Sequence, residues 1–334
     1  MKQPDYKYAP KGDFSDNVHF ARQYSGLALV RFWLKICRGY FIAYLKLWWT
    51  LLIKKCYYGP FKGEFGHFLA HNLPFLMYLQ SKGVKIYYCG MDLHRPFLVN
   101  ENKESIITTF FPLRDFFGEV RILNNETIPP ADVQKEIDSF MEIAKKDTFV
   151  PFWNIGDTFY YWFIHRNWLL KGPFMKTYNL EKAYSTGKEK SATIFPRKKG
   201  NDYTDTNGGP WDYMEIARLI SPCFDHVYVT GHPSLSTELQ SEGNIEVCLS
   251  KDNTVILEKC TKSQLIITQH SGVNNIGEYT NNQVLIIYNG EPPIGSLQNT
   301  LRFRPYIGTK HDLNYAFSIQ EIAEYVKNFT FKQN

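Results

Sequence analysis

The segment Leu265-Ile266-Ile267-Thr268-Gln269-His270-Ser271-Gly272-Val273-Asn274-Asn275 reads as a buried strand, a glycine-bearing turn and the start of a helix. About 200 residues earlier, Gly63-Glu64-Phe65-Gly66-His67 has the same character, followed by an apolar run that includes Leu73-Pro74. Such a turn brings backbone N–H groups and side chains to one edge of a parallel sheet, where ligands bind in open α/β folds. Two of these units on one chain predict an α/β protein of two Rossmann-like domains facing each other across a cleft.

The bulk numbers allow this. At 334 residues the chain is long enough for two cores, and 44% apolar with 21% charged residues is ordinary for a globular protein. The net charge of +5 is a mild excess. No nucleic-acid-binding motif accompanies it, so nucleic acid is not expected as a partner. Cys37, Cys56, Cys89, Cys223, Cys248 and Cys260 show no CxxC spacing. Scattered thiols of this kind fit a reducing compartment rather than a zinc site or a disulfide framework. The first 25 residues are polar and lack the apolar core of a secretion signal.

Aromatics make up 16% of the chain and concentrate in its first half. Residues 27–55 (LALVRFWLKICRGYFIAYLKLWWTLLIKK) read as an amphipathic helix. Arg31, Lys35, Arg38 and Lys46 fall within an arc of roughly 80° at 100° per residue. The expectation is an interfacial helix whose cationic stripe faces an anionic membrane surface, with Trp33, Trp48 and Trp49 at the headgroup level. A core helix with snorkelling Lys and Arg stems is the alternative. The membrane reading places the protein in the cytoplasm, peripheral on the inner face of a membrane.

The expected organisation is an arm and amphipathic helix over residues 1–55, a first Rossmann-like domain over 56–172, a linker over 173–190 and a second Rossmann-like domain over 191–334. In the first domain, strands are expected at 54–61, 84–89, 105–111 and 119–123. Helices are expected at 68–81, 131–146 (after Pro129-Pro130) and 157–171. Glu64 stands between two glycines at a helix start, where the helix dipole favours its anion and the glycines leave room for a substrate. A carboxylate held there suits a general base acting on a hydroxyl, and it equally suits a helix cap. His67 lies three residues on, as a second polar group at the site or a packed helix residue. The His67/His71 pair has neither an HExxH pattern nor a third ligand, so no metal is expected.

In the second domain, strands at 191–196, 227–230, 245–249, 265–268 and 284–288 alternate with helices at 211–221 and 254–260, which implies a parallel doubly wound sheet. Arg197, Lys198 and Lys199 follow the first of these strands, where they suit a diphosphate or a solvated basic turn. Ser271, Gly272, Asn274 and Asn275 supply a hydroxyl, backbone N–H groups and amides to the same kind of ligand, or a purely structural turn. His270 and Glu278 flank them, as donor contacts or as packed and exposed residues respectively. GxxxxGK[ST] and GxGxxG are absent, which argues against a P-loop NTPase and weakens the case for a nicotinamide dehydrogenase.

Taken together these residues resemble the GT-B glycosyltransferases, and within them the bacterial lipopolysaccharide heptosyltransferase-like group. The likeness rests on Gly63-Glu64-Phe65-Gly66-His67 with Leu73-Pro74 behind it, on Ser271-Gly272 after a late strand, and on residues 284–288 followed by the Gly/Pro turn at 289–293. Glu stands where that group has Asp, and Asn274-Asn275 where it usually has His. The resemblance implies a nucleotide-sugar as donor substrate, no cofactor, a lipid-linked glycan or other glycan as acceptor, and Glu64 as base of an inverting transfer. It places Ser271-Gly272 at the donor diphosphate; Arg197, Lys198, Lys199, His270, Asn274, Asn275 and Glu278 complete the expected donor-binding set on their own chemistry. A fucosyl- or Kdo-type transferase of the same fold, and a non-catalytic scaffold that binds glycan or membrane, are the competing readings.

Overall fold

The computed structural model describes residues 25–62, 65–116, 119, 121–123, 126–154, 174–185, 187–197, 211–233, 239–269, 271–288 and 313–331. The chain forms two compact units, the first running to Thr177 and the second from Tyr178 onward, with Asn100–Lys103 assigned to the second.

The first unit opens with helix α1 (Gly26–Ile53). Ile36, Tyr40, Ala43, Leu47 and Thr50 recur at helical spacing and form its buried stripe. The Trp153 indole donates to Thr50 Oγ1 (3.1 Å) in the interior. The Lys46 ammonium donates to the Phe152 carbonyl (3.1 Å) and sits 5.5 Å from the Trp153 ring centre. Lys46 therefore does not join Arg31, Lys35 and Arg38 in an outward cationic stripe. Its long stem reaches a strand-end carbonyl and an aromatic face, which hold a cation better than solvent does.

Strand β1 (Lys55–Phe61) is followed by a helical turn Phe65–His67, a π-helical turn Phe68–Asn72, and helix α2 (Leu73–Ser81). The single helix expected over 68–81 thus begins with a wider turn. Pro74 has no N–H to give the fourth residue back, and the Leu73 N–H bonds the Phe68 carbonyl instead. Strand β2 (Lys85–Met91), a 3₁₀ turn (Asp92–Phe97), β3 (Thr109–Leu113), β4 (Arg121–Leu123), β5 (Glu126–Ile128), helix α3 (Ala131–Lys146) and β6 (Phe152–Asn154) complete the described part of this unit.

The main sheet is parallel with order β3-β2-β1-β6. Two strand expectations shift. Ser105 makes only an isolated bridge to Val99, because its hydroxyl bonds locally to the Ile107 backbone and competes with a ladder. β4 pairs antiparallel with β5 outside the main sheet. The helix expected over 157–171 lies outside the described residues. Helix α3 buries Val133, Ile137, Phe140 and Ala144 against Tyr57, Cys89 and Leu113.

The second unit holds the short helix α4 (Glu181–Tyr184), β7 (Ser191–Phe195), α5 (Tyr213–Ile220), β8 (His226–Gly231), β9 (Ile245–Leu249), α6 (Asn253–Lys262), β10 (Leu265–Gln269), a 3₁₀ turn (Gly272–Ile276), α7 (Gly277–Thr280), β11 (Gln283–Ile287), β12 (Leu313–Ala316) and α8 (Ile319–Lys327). Within the 173–190 stretch, Leu180 is buried and its N–H donates to the Tyr279 carbonyl (2.7 Å), which ties it into this unit.

The sheet is parallel throughout, in the order β12-β11-β10-β7-β8-β9. Counted from its own first strand this is 3-2-1-4-5-6, the order of a dinucleotide-binding sheet, read from the other edge. β7 and β10 are buried along their whole length. Ile194, Ile267, Leu285 and Val229 pack between the sheet and the apolar faces of α5 and α8, as a doubly wound fold requires.

Candidate functional site

In an open parallel sheet, ligands bind beyond the carboxyl ends of the strands at the point where the strand order reverses. In the second unit that point lies between β7 and β10, which are direct neighbours with Thr268 opposite Phe195. Arg197 leaves β7 there, half-buried, and Ser271 leaves β10 there. Two loops that are over 70 residues apart in sequence thereby leave neighbouring strands at the same edge of the sheet. Lys198, Lys199 and His270 lie outside the described residues.

A tyrosine joins the two sides. The Tyr213 hydroxyl donates to Gln269 Oε1 (2.7 Å) at the end of β10, with both side chains buried. The same hydroxyl bonds the backbone N–H of Arg197. Burial pushes the Tyr213 phenol up from its ordinary value, and the Arg197 charge and N–H offset part of that rise. Tyr213 is held at the start of α5 by Asp212, whose carboxylate accepts from the N–H groups of Met214 (3.0 Å) and Glu215 (2.9 Å). Neither Tyr213 nor Gln269 is among the residues expected from sequence. The available signals were an aspartate N-cap directly before a tyrosine, and a polar residue closing the apolar strand LIITQ.

Past β10, Ser271 is the N-cap of the turn. Its Oγ accepts from Val273 N–H (3.3 Å), and Asn274 Oδ1 accepts from the Ser271 N–H (3.3 Å), a reciprocal cap. Asn274 is only 7% exposed and is committed to the turn through this oxygen. Asn275 donates to the Gly272 carbonyl (3.1 Å). The two asparagines thus shape the loop, while Ser271 and Gly272 occupy its rim. Glu278 is half-buried on α7, one helical turn behind.

The first unit repeats the arrangement. β1 lies at its reversal point, between β2 and β6, and the loop beginning at Lys62 leaves from its carboxyl end. Gly63 and Glu64 lie outside the described residues. His67 ends the helical turn that follows, half-buried, with its ring 6.1 Å from that of His71. Asn72 ties this turn to the strand, donating to the His67 carbonyl (3.0 Å) and accepting from the Tyr58 hydroxyl (2.9 Å). Among the described residues no group of three or more His, Cys, Asp or Glu is arranged to hold a metal ion.

Beneath the turn Phe68–Asn72 lies His94, which is fully buried. Its ring stacks on Phe68 at 4.0 Å between centroids and lies 5.5 Å from Phe61, and its Nδ1 shares a hydrogen bond with the Tyr88 hydroxyl (3.0 Å). Burial lowers its pKa to about 3, so the imidazole is neutral at pH 7. A base that weak is unsuited to proton abstraction near neutrality, and His94 serves as packing against Phe61 and Phe68.

The solved structures similar to this chain include bacterial heptosyltransferases. Heptosyltransferase WaaC of E. coli, solved with ADP-2-deoxy-2-fluoro heptose, is 11% identical with a TM-score of 0.48, covering 82% of this chain and 98% of that one. The E. coli ADP-heptose lps heptosyltransferase II is 13% identical at 0.48, covering 82% and 97%. A glycosyl transferase family 9 protein of Veillonella parvula DSM 2008 is 12% identical at 0.44, covering 83% and 90%. No protein-family model and no curated protein matches the chain. Likeness at this level does not carry an activity across, so the function has to be read from the chain's own residues.

Proposed function

We propose that this protein is a glycosyltransferase that moves a sugar from a nucleoside-diphosphate donor to a glycan hydroxyl, with inversion. The observation that carries the reading is the juxtaposition of Arg197 and Ser271 beyond neighbouring strands β7 and β10, at the reversal point of the sheet. A guanidinium on one side and a hydroxyl with turn N–H groups on the other suit the oxygens of a diphosphate. Lys198 and Lys199 follow Arg197 in the sequence and bring further positive charge to this reading, and His270 and Glu278 are placed in sequence to meet the rest of the donor.

In this mechanism Glu64 takes the proton from the acceptor hydroxyl as its oxygen attacks the anomeric carbon. The glycosidic bond forms as the bond to the diphosphate breaks, and the nucleoside diphosphate departs with both bonding electrons. Arg197 and its neighbours stabilise the charge that develops on the leaving group, so no metal ion is called for. His67 is the second polar group beside the acceptor. A lipid-linked glycan is the acceptor class that the resemblance of the motifs suggests.

The test is release of nucleoside diphosphate from a panel of nucleotide-sugars in the presence of glycan acceptors. Glu64→Gln is expected to lower turnover by roughly 10²- to 10⁴-fold with donor affinity retained, the usual contribution of positioned proton transfer. Near-normal turnover in that variant removes Glu64 from the mechanism. A chelator is expected to leave turnover unchanged. Loss of turnover restored by magnesium or manganese contradicts the metal-free part.

A further inference from the structure

Helix α1 has three faces, and the glycosyl-transfer reading uses none of them. At 100° per residue the buried stripe from Ile36 to Thr50 spans roughly 100°. Almost opposite, within an arc of about 60°, lie Leu27, Leu34, Phe41, Leu45, Trp48 and Leu52. All are solvent-exposed, Leu27 at 77%, Leu34 at 64%, Phe41 at 63% and Trp48 at 62%. Nine of the 12 exposed large apolar side chains among the described residues sit on this one helix. The patch continues off the helix. The Trp49 indole donates to the Phe149 carbonyl (2.9 Å), and the Phe149 ring is 80% exposed beside it. Contiguous apolar surface of this kind marks an interaction site rather than ordinary solvent-facing surface.

The charges select the partner. Arg31, Lys35 and Arg38 are exposed and form a band directly alongside the apolar face. α1 contains no Asp or Glu. A two-fold copy of this helix would set cations beside cations with no anion on either helix to answer them. An anionic lipid surface answers them, and it takes an apolar face and exposed indoles at the same depth.

The packed side of the helix sets the geometry. Thr50 with Trp153 and Lys46 with Phe152 bind the half of α1 from Ile36 onward to the first unit, so that half cannot cross a bilayer without breaking those contacts. We infer that α1 is a membrane foot. It lies in the plane of an anionic bilayer, its Leu27–Leu52 face in the acyl boundary, Arg31, Lys35 and Arg38 at the headgroups, and the first unit seated on its opposite side. The helix is about 42 Å long at 1.5 Å per residue, enough to rest on the surface along its whole length.

The experiment is sedimentation of the full chain with vesicles of phosphatidylcholine alone or with phosphatidylglycerol, at low and high salt. No donor or acceptor is present, so the result is independent of whether the transferase reading holds. Binding to the anionic vesicles is expected, weaker at high salt and on neutral vesicles. The triple variant Arg31→Gln, Lys35→Gln and Arg38→Gln is expected to lower the partition coefficient roughly a hundredfold, at the usual strength per basic residue near an anionic surface. Leu34→Asp with Phe41→Asp is expected to abolish binding while the far-ultraviolet spectrum and melting stay unchanged, because both positions are exposed. The inference is overturned if the wild type ignores anionic vesicles at low salt, or if the double variant binds as well as the wild type. It is also overturned if carbonate washing fails to strip the protein from vesicles, which identifies a spanning segment. A dimer in vesicle-free solution that the double variant breaks overturns it too, in favour of a second copy.

Discussion

His94 makes stability depend on pH in a way that can be calculated. Its pKa is about 3 in the folded chain against about 6.5 when solvated, because the ring is sealed among Phe61, Phe68 and Tyr88. The folded value lies below the unfolded one. The stabilisation is therefore complete above about pH 6.5 and is lost as pH falls toward 3, where the unfolded chain binds a proton that the folded chain refuses. Between pH 7.5 and pH 5 the loss from this residue is about 2 kcal/mol, at a slope approaching 1.4 kcal/mol per pH unit. Urea unfolding of the wild type and of His94→Gln at both pH values, followed by far-ultraviolet circular dichroism, isolates the effect. Carboxylates and other groups common to both chains cancel in the comparison. The substitution lowers stability at pH 7.5, and the expected signature is a decline toward pH 5 that is about 2 kcal/mol smaller in the variant. If both chains decline equally, the imidazole is either hydrated or already protonated in the folded state, and the sealed packing among Phe61, Phe68 and Tyr88 is wrong.

Two further substitutions probe the frame around the sites. Tyr213→Phe removes the hydroxyl that links Gln269 to the Arg197 backbone, and a cost of about 1–3 kcal/mol in urea unfolding is expected for disturbing a buried hydrogen bond. A change below about 0.5 kcal/mol would show that the hydroxyl is not a strut. Gly59 lies in β1 with φ 128°, and a Cβ built there collides with the Cys89 carbonyl. Gly59→Ala is expected to cost on the order of 3 kcal/mol or to prevent soluble expression, read from denaturation midpoints; a loss under about 1 kcal/mol contradicts the close approach of β1 and β2.

Much of the second unit is legible in the sequence, because its strands are short apolar runs closed by turn residues. Ile245–Leu249 is an example, and the helix over 131–146 in the first unit shows the same clarity through its Pro129-Pro130 start and regular apolar spacing. β12 and α8 add two elements to that reading, although Ser318 followed by Glu321 is a capping pattern, realised as Ser318 Oγ accepting from Glu321 N–H (3.2 Å). Strand order is another matter. The sequence shows that β7 and β10 are strands; only the assembled sheet makes them neighbours and so puts Arg197 and Ser271 beyond adjacent strand ends. The Tyr213–Gln269 bond spans 56 residues and has no local signature. Lys46 fails for the same reason: its place on the helical wheel puts it with the other cations, but Phe152 and Trp153, over 100 residues away, draw it inward. Asn274 and Asn275 look like ligand amides in the sequence, and only the folded turn reveals how much of their bonding capacity it uses.

A nucleoside diphosphate is expected to bind where β7 and β10 part, and isothermal titration reads that binding without any transfer step. A panel of nucleoside diphosphates and nucleotide-sugars is titrated into the wild type, Arg197→Ala and Ser271→Ala. At least one ligand is expected to bind the wild type saturably, with an affinity roughly 10- to 100-fold lower in Arg197→Ala, the worth of a charge-assisted hydrogen bond. Ser271→Ala is expected to weaken the same ligand. Binding that survives both substitutions undiminished would place the donor elsewhere, and no binding by the folded wild type to any member of the panel would mean that this sheet edge is not a nucleotide site.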